Sequence, residues 1–162
     1  MATTAPDVHF LLRHPAHFVA LGFGAGLSPV APGTMGTLVA FPIAWVLDRY
    51  GGDVVFAVAV GALLLVGTWA AQVTGRALGS PDHGGIVVDE IAAFLIVLYF
   101  VRGNVIAEIA GFVLFRAFDI AKPPPIQQFD AALKNGFGVM LDDVLAAAYT
   151  LLILALWRWA SP

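Results

Sequence analysis

The stretch "VVDEIAAFLIVLYFV", Val87 to Val101, sets Asp89 and Glu90 at the head of a run that carries no other charge. A second pair, Asp142-Asp143, precedes "VLAAAYTLLILALW" in the same way. Twice, neighbouring carboxylates stand where an apolar segment begins. The fold must put those segments in an apolar medium and still give four acids a reason to be there.

Composition names the medium. Of the 162 residues, 60% are hydrophobic and 12% charged, against about 45–50% and about 25% in soluble domains. Mean hydropathy is +0.88. The reading is an all-α, integral membrane helical bundle, one domain over 1–162, rather than a soluble helical domain with an apolar core. A net charge of −3 gives no electrostatic footprint for nucleic acid. With no cysteine, disulfides, thiolate metal sites and cysteine-nucleophile chemistry are excluded. The opening "MATTAPDVHFLLRHPAHF" does not read as a signal peptide, because Asp7, Arg13 and three histidines interrupt it.

Five apolar segments follow: Met35–Leu47, Val54–Val73, Asp89–Val101, Asn104–Phe118 and Met140–Trp159. About five membrane-embedded helices are therefore expected, with short amphipathic or re-entrant segments between them. Val54–Val73 is uncharged and long enough for about 30 Å of hydrocarbon, whereas Asp89–Val101 is short for a span. Pro123-Pro124-Pro125 should stop the fourth helix. "IQQFDAALKNG" then reads as a short amphipathic helix with a glycine stop.

Threading five helices through short connections gathers the polar features on one face. Asp82, Asp89, Glu90, Asp119, Asp130, Asp142 and Asp143 collect there, seven of the eleven acids, with Arg76, Arg116, Lys122 and Lys134. Asp48, Arg49, Asp53, Arg102 and Arg158 fall on the other. Counting Arg13, the site face holds five Lys/Arg and the other three, so the positive-inside rule puts the site in the cytoplasm.

Helix capping explains one acid per helix start. It does not explain two adjacent acids twice, because neighbouring carboxylates repel and resist burial. A divalent cation removes that repulsion, and Mg²⁺ takes a few carboxylates together with phosphate oxygens. Asp89, Glu90, Asp142 and Asp143 are the expected metal ligands. "FRAFDIAK" supplies the opposite sign: Arg116, Asp119 and Lys122, spaced by three, share a helix face. Arg grips phosphate with two parallel hydrogen bonds and Lys acts as a point charge. "GFGAGLSPVAPGTMGT", Gly22 to Thr37, feeds a helix N-terminus from a glycine-rich backbone. Gly33, Thr34 and Thr37 are expected to touch an anion there.

The remaining polar residues read as structural. His9, His14, His17 and His83 are expected in interfacial or loop positions, His83 close enough to the site to touch substrate. Trp45, Trp69, Trp157 and Trp159 fit an interfacial aromatic belt. Glu108, inside a span, should pair with Arg102 or Asn104.

"SPVAPGTMGT", "DHGGIVVDE", "FRAFDIAKPPPI" and "GVMLDDVLA", in that order, resemble the phosphatidylglycerophosphatase A family over roughly Gly22 to Ala147. Pro124 stands where that family often has a bulky residue. The resemblance implies a small helical protein of the bacterial inner membrane. It also implies Mg²⁺-dependent removal of the terminal phosphate from phosphatidylglycerophosphate, leaving phosphatidylglycerol. The residue roles come from the chemistry. Asp89, Glu90, Asp142 and Asp143 hold Mg²⁺, with Asp119 completing the catalytic carboxylates. Arg116 and Lys122 clamp the phosphoryl oxygens beside Gly33 and Thr34. Water and a carboxylate both remain open as nucleophile. The expected partner is phospholipid in the bilayer, with oligomeric state open. The alternative is a divalent-cation transporter or channel with carboxylates at its helix ends. The apolar spans lack the polar residues that would continue such a path.

Overall fold

The computed structural model describes residues 6–160. Its regular elements are all helical: α1 (Val8–Leu12), α2 (Pro15–Ala20), a 3₁₀ segment (Gly22–Leu27), α3 (Pro32–Tyr50), α4 (Gly52–Leu78), α5 (Val88–Val101), α6 (Val105–Ala121), α7 (Ile126–Ala132) and α8 (Gly136–Ala160). Each of the five apolar segments is a helix.

The centre is α5. A helix apolar on every side must be enclosed, and nine of its fourteen residues are buried. It packs against α3, α4, α6 and α8. Phe94 forms its aromatic hub, with ring centroids 5.3 Å from Phe41, 5.9 Å from Phe112 and 5.5 Å from Phe115. At 1.5 Å per residue α5 is about 21 Å long, less than the hydrocarbon thickness of about 30 Å. The 27-residue α4 and the 25-residue α8 are both long and apolar enough to cross a membrane. Only 28% of the most apolar stretch of α4 is buried. Val54, Val58, Leu65 and Trp69 face outward. A soluble core helix would be mostly enclosed, and a continuous exposed apolar face of this kind suits hydrocarbon rather than water.

Helix ends carry the logic of the site. Pro32 opens α3 after Ala31, which turns the chain at φ 47°. Asn104 caps α6 by accepting from the Ala107 amide at 3.1 Å. α6 ends at Ala121, and Lys122 takes the left-handed conformation ahead of the prolines. α7 is the short helix expected after them. One boundary needs correction. α8 begins at Gly136, not Met140, because Asn135 starts it: its Oδ1 accepts from the Gly138 amide at 2.9 Å. Asp142 and Asp143 therefore lie in the second turn and cap nothing.

The helix ends gather at the two poles that the alternation predicts, although among the described residues only α4 and α8 are long and apolar enough to cross a membrane. The starts of α3, α5 and α8 meet the end of α6 at one pole. At the other, Arg102 pairs with Asp48 at 3.3 Å and with Asp53, tying the α3–α4 turn to the end of α5. Glu108 neighbours both expected partners but is held by the residue between them, accepting from the Gly103 amide at 2.9 Å. The three N-terminal histidines are not all superficial. His17 is buried, with Nδ1 3.0 Å from Thr74 Oγ1 on α4. The four tryptophans are all exposed.

Candidate active site

Asp89 and Glu90 stand in the first turn of α5, and Asp143 in the second turn of α8. One carboxylate oxygen from each lies within 4.8 Å of the other two. Asp89 and Asp143 are only 6% and 2% exposed. Asp89 Oδ1, Glu90 Oε2 and Asp143 Oδ2 are buried and receive no hydrogen bond. Three acids that repel one another, each with a buried oxygen that lacks a protein donor, form a poor structural core and a good cage for a hard cation. The trio can coordinate a divalent ion.

Arg116 closes one side of the cage. Its Nη1 lies 2.7 Å from Asp119 Oδ2 and 3.5 Å from Glu90 Oε1. The same nitrogen is 3.5 Å from Thr37 Oγ1, while Nε is buried without an acceptor. Asp119 in turn faces Asp143. Asp119 thus joins the fixed cation Arg116 to the carboxylate cage.

The start of α3 closes another side. Thr37 is buried and donates to the Gly33 carbonyl at 2.9 Å. Gly33 has no room for a side chain: a β-carbon would stand 2.2 Å from Glu90 Oε1 and 3.0 Å from Arg116 Nη2. Its missing side chain lets the first turn of α3 touch the acids. Thr34 is half-buried at the rim of this turn.

Asp142 goes elsewhere. Its Oδ2 accepts from Lys122 Nζ at 2.5 Å, outside the cage of three. Lys122 also reaches Asp130 on α7 at 3.4 Å and Asp82 in the α4–α5 loop at 4.0 Å. Burial works against its charge, but the Asp142 hydrogen bond and the three surrounding carboxylates hold Lys122 well above the ordinary lysine range. For Asp130, the Lys134 hydrogen bond and the Lys122 and Lys134 charges outweigh burial and lower the carboxyl. Tyr149 Oη donates to the Pro124 carbonyl at 2.9 Å, fixing the proline loop to the helix that carries Asp142.

The structure thus brings Asp89, Glu90, Asp143, Asp119, Arg116, Gly33 and Thr37 into one cluster. Asp142 and Lys122 form a second beside it. Asp82, Asp130 and Tyr149 were not singled out from sequence. The acids were visible on the right face, but nothing in their spacing paired them with Lys122. His83 shapes its own loop, with Nδ1 accepting from the Gly85 amide at 3.1 Å.

The model of the family Phosphatidylglycerophosphatase A matches residues 18–158, which include both clusters. The chain belongs to this family. It is 42% identical over 161 residues to the Phosphatidylglycerophosphatase A of Haemophilus influenzae, covering 98% of this chain and 99% of that relative. It is 38% identical over 144 residues to the Escherichia coli protein of the same name, covering 88% and 83%. A Bacteroides thetaiotaomicron protein, provisionally named a phosphatidylinositol-3-phosphatase, is 38% identical over 149 residues, covering 87% and 92%. No solved structure matches the chain.

Proposed function

We propose that the protein is a Mg²⁺-dependent lipid phosphatase. It hydrolyses the terminal phosphate monoester of phosphatidylglycerophosphate and leaves phosphatidylglycerol in the bilayer. The observation that carries this reading is the cage of three buried carboxylates with unsatisfied oxygens, set against an arginine and a helix start in a chain of this family. α3, α4, α5, α6 and α8 form one membrane-embedded domain of a bacterial membrane, with the cage at the cytoplasmic headgroup level. The excess of Lys/Arg on the cage side supports that orientation.

Asp89, Glu90 and Asp143 would hold the ion, whose chemistry when bound is to neutralise charge on the phosphoryl oxygens. The remaining work falls to the chain. Arg116 offers its unengaged Nε–H to a phosphoryl oxygen, while Asp119 and Glu90 keep the guanidinium in place. The first turn of α3 directs backbone N–H groups toward the same space, where the positive end of the helix dipole favours an anion. Thr34 and Thr37 line that turn. Lys122 presents a positive charge from the proline loop, held in place by Asp142.

Each carboxylate already has a use: three as ligands, Asp119 tied to Arg116 and Asp142 tied to Lys122. Water is therefore the nucleophile. It attacks phosphorus in line, its oxygen joins the phosphate, and the bond to the glyceryl oxygen breaks. One of the water's protons ends on the leaving oxygen and the other on phosphate, so the products are inorganic phosphate and the lipid alcohol.

The test is phosphate release by protein purified in detergent, with Mg²⁺ and with EDTA. Phosphatidylglycerophosphate and phosphatidylinositol 3-phosphate are compared as substrates in ¹⁸O water. Mg²⁺-dependent release from the glycerophosphate lipid, with one ¹⁸O per phosphate, is expected. Release without divalent ion would overturn the ion assignment. A trapped acyl-phosphate would overturn water as nucleophile, and a preference for the inositol lipid would overturn the headgroup.

A further inference from the structure

The pole opposite the carboxylates contains a cavity of about 800 Å³. It lies between the end of α5, the start of α6 and the last turns of α8. That volume is within the range of about 300–1,000 Å³ found for small-molecule sites. Its α8 wall is Leu151, Leu154, Ala155 and Arg158, residues spaced to share one helix face. Phe100 and Ala107 continue the apolar lining, while Arg102, Asn104 and Arg158 are its polar members. No carboxylate lines it.

Both charged members are arginines, and they differ. Arg102 is held by Asp48 and Asp53 and lies against the Tyr99 ring at 4.7 Å. Arg158 is exposed and makes no ion pair among the described residues. Trp157, also lining the cavity, is the residue type that sits at the membrane–water boundary. A soluble anion would have no use for the apolar walls, and a neutral oil none for the arginines. The combination fits an amphiphile with an anionic head.

We infer that this cavity binds an anionic phospholipid of the leaflet opposite the carboxylate cage. An acyl chain lies along Leu151, Leu154 and Ala155, and the headgroup phosphate meets Arg158. The site is separate from the hydrolytic one and does not depend on the activity proposed above.

The experiment is native mass spectrometry of delipidated full-length protein titrated with phosphatidylglycerol or phosphatidylcholine. Wild type is compared with Arg158→Gln and with Ala155→Trp, which fills the cavity. Circular dichroism and phosphate release serve as checks of folding. Wild type should bind phosphatidylglycerol about tenfold more tightly than phosphatidylcholine. Ala155→Trp should remove one bound lipid whatever its head, and Arg158→Gln should erase the phosphatidylglycerol preference of that one lipid. Lipid bound at the carboxylate pole would be lost from neither variant. Equal binding of the two lipids by wild type overturns the inference. So does a folded Ala155→Trp protein that keeps its full lipid stoichiometry, or an Arg158→Gln protein in which the lipid that Ala155→Trp removes still prefers phosphatidylglycerol.

Discussion

Gly33 touches Glu90 across the gap between α3 and α5, so closely that a β-carbon would stand 2.2 Å from the carboxylate oxygen. The contact joins the anion-favouring start of α3 to the carboxylate cage. Gly33→Ala must push Glu90 and Arg116 aside. Misplacement of about 1 Å at a reacting centre costs about 10²-fold in rate, so kcat/KM should fall by about that factor. The Tm should fall as well, because Gly33 is buried and overpacking a filled site costs about 1–3 kcal/mol. Activity within threefold of wild type would show that the cage tolerates displacement.

Asp143 meets Asp89 and Glu90 with unsatisfied oxygens. Asp143→Asn should cut turnover by at least about 10³-fold, on the scale of losing a principal electrostatic element of a site. The same change removes a repelling buried charge. In EDTA the variant should therefore unfold at a higher temperature than wild type. Added Mg²⁺ should raise the Tm of wild type through binding to the folded state and leave the variant nearly unmoved. A variant with wild-type Mg²⁺ stabilisation would remove Asp143 from the ligand set.

Lys122 and Asp142 form the shortest ion pair of the second cluster, at 2.5 Å. Lys122→Met strands a buried carboxylate, which costs about 3 kcal/mol or more in stability. Replacing both, Lys122→Met with Asp142→Leu, should recover most of that loss. Activity should stay low in the double variant, because the phosphate would still lack its point charge. Recovery of activity along with stability would make the pair purely structural.

His17 is buried against Thr74. Burial, then the charges of His14 and Arg13, lower its pKa below the usual 6.5. The folded protein thus favours neutral His17, while the unfolded chain takes up a proton near 6.5. Stability from this residue is present above that pH and is lost as pH falls from 6.5 toward the folded pKa. The Tm in detergent should drop between pH 7.5 and pH 5.5, and His17→Gln should flatten the drop. An equal drop in the variant would place the pH dependence elsewhere.

The polar pole was legible in the sequence because alternation is enforced by length. Connections such as "RGN" and "DRYGGD" are too short to recross a bilayer, so each segment must return. That constraint alone placed Asp89, Asp119, Asp143 and Arg116 together. The start of α8 was less legible. Asn135-Gly136 reads as the stop after α7, yet α7 already ends at Ala132 and Asn135 starts the next helix instead, because stop signals and start signals share these residue types. His17 was misplaced for a related reason: a histidine's burial depends on the helix that lies over it, here α4, 57 residues away.

Sequence alone determined the medium, the helices and the face on which the acids gather, because hydropathy and chain connectivity are properties of the chain itself. Only the tertiary structure decided which acids work together. Asp142 and Asp143 are adjacent, yet neighbouring residues on a helix point about 100° apart. Asp143 turns to Asp89 and Glu90 on α5, while Asp142 turns to Lys122 at the end of α6. Two carboxylates that read as one pair serve two clusters, because the packing of α8 against α5 on one side and the proline loop on the other sets what each one meets.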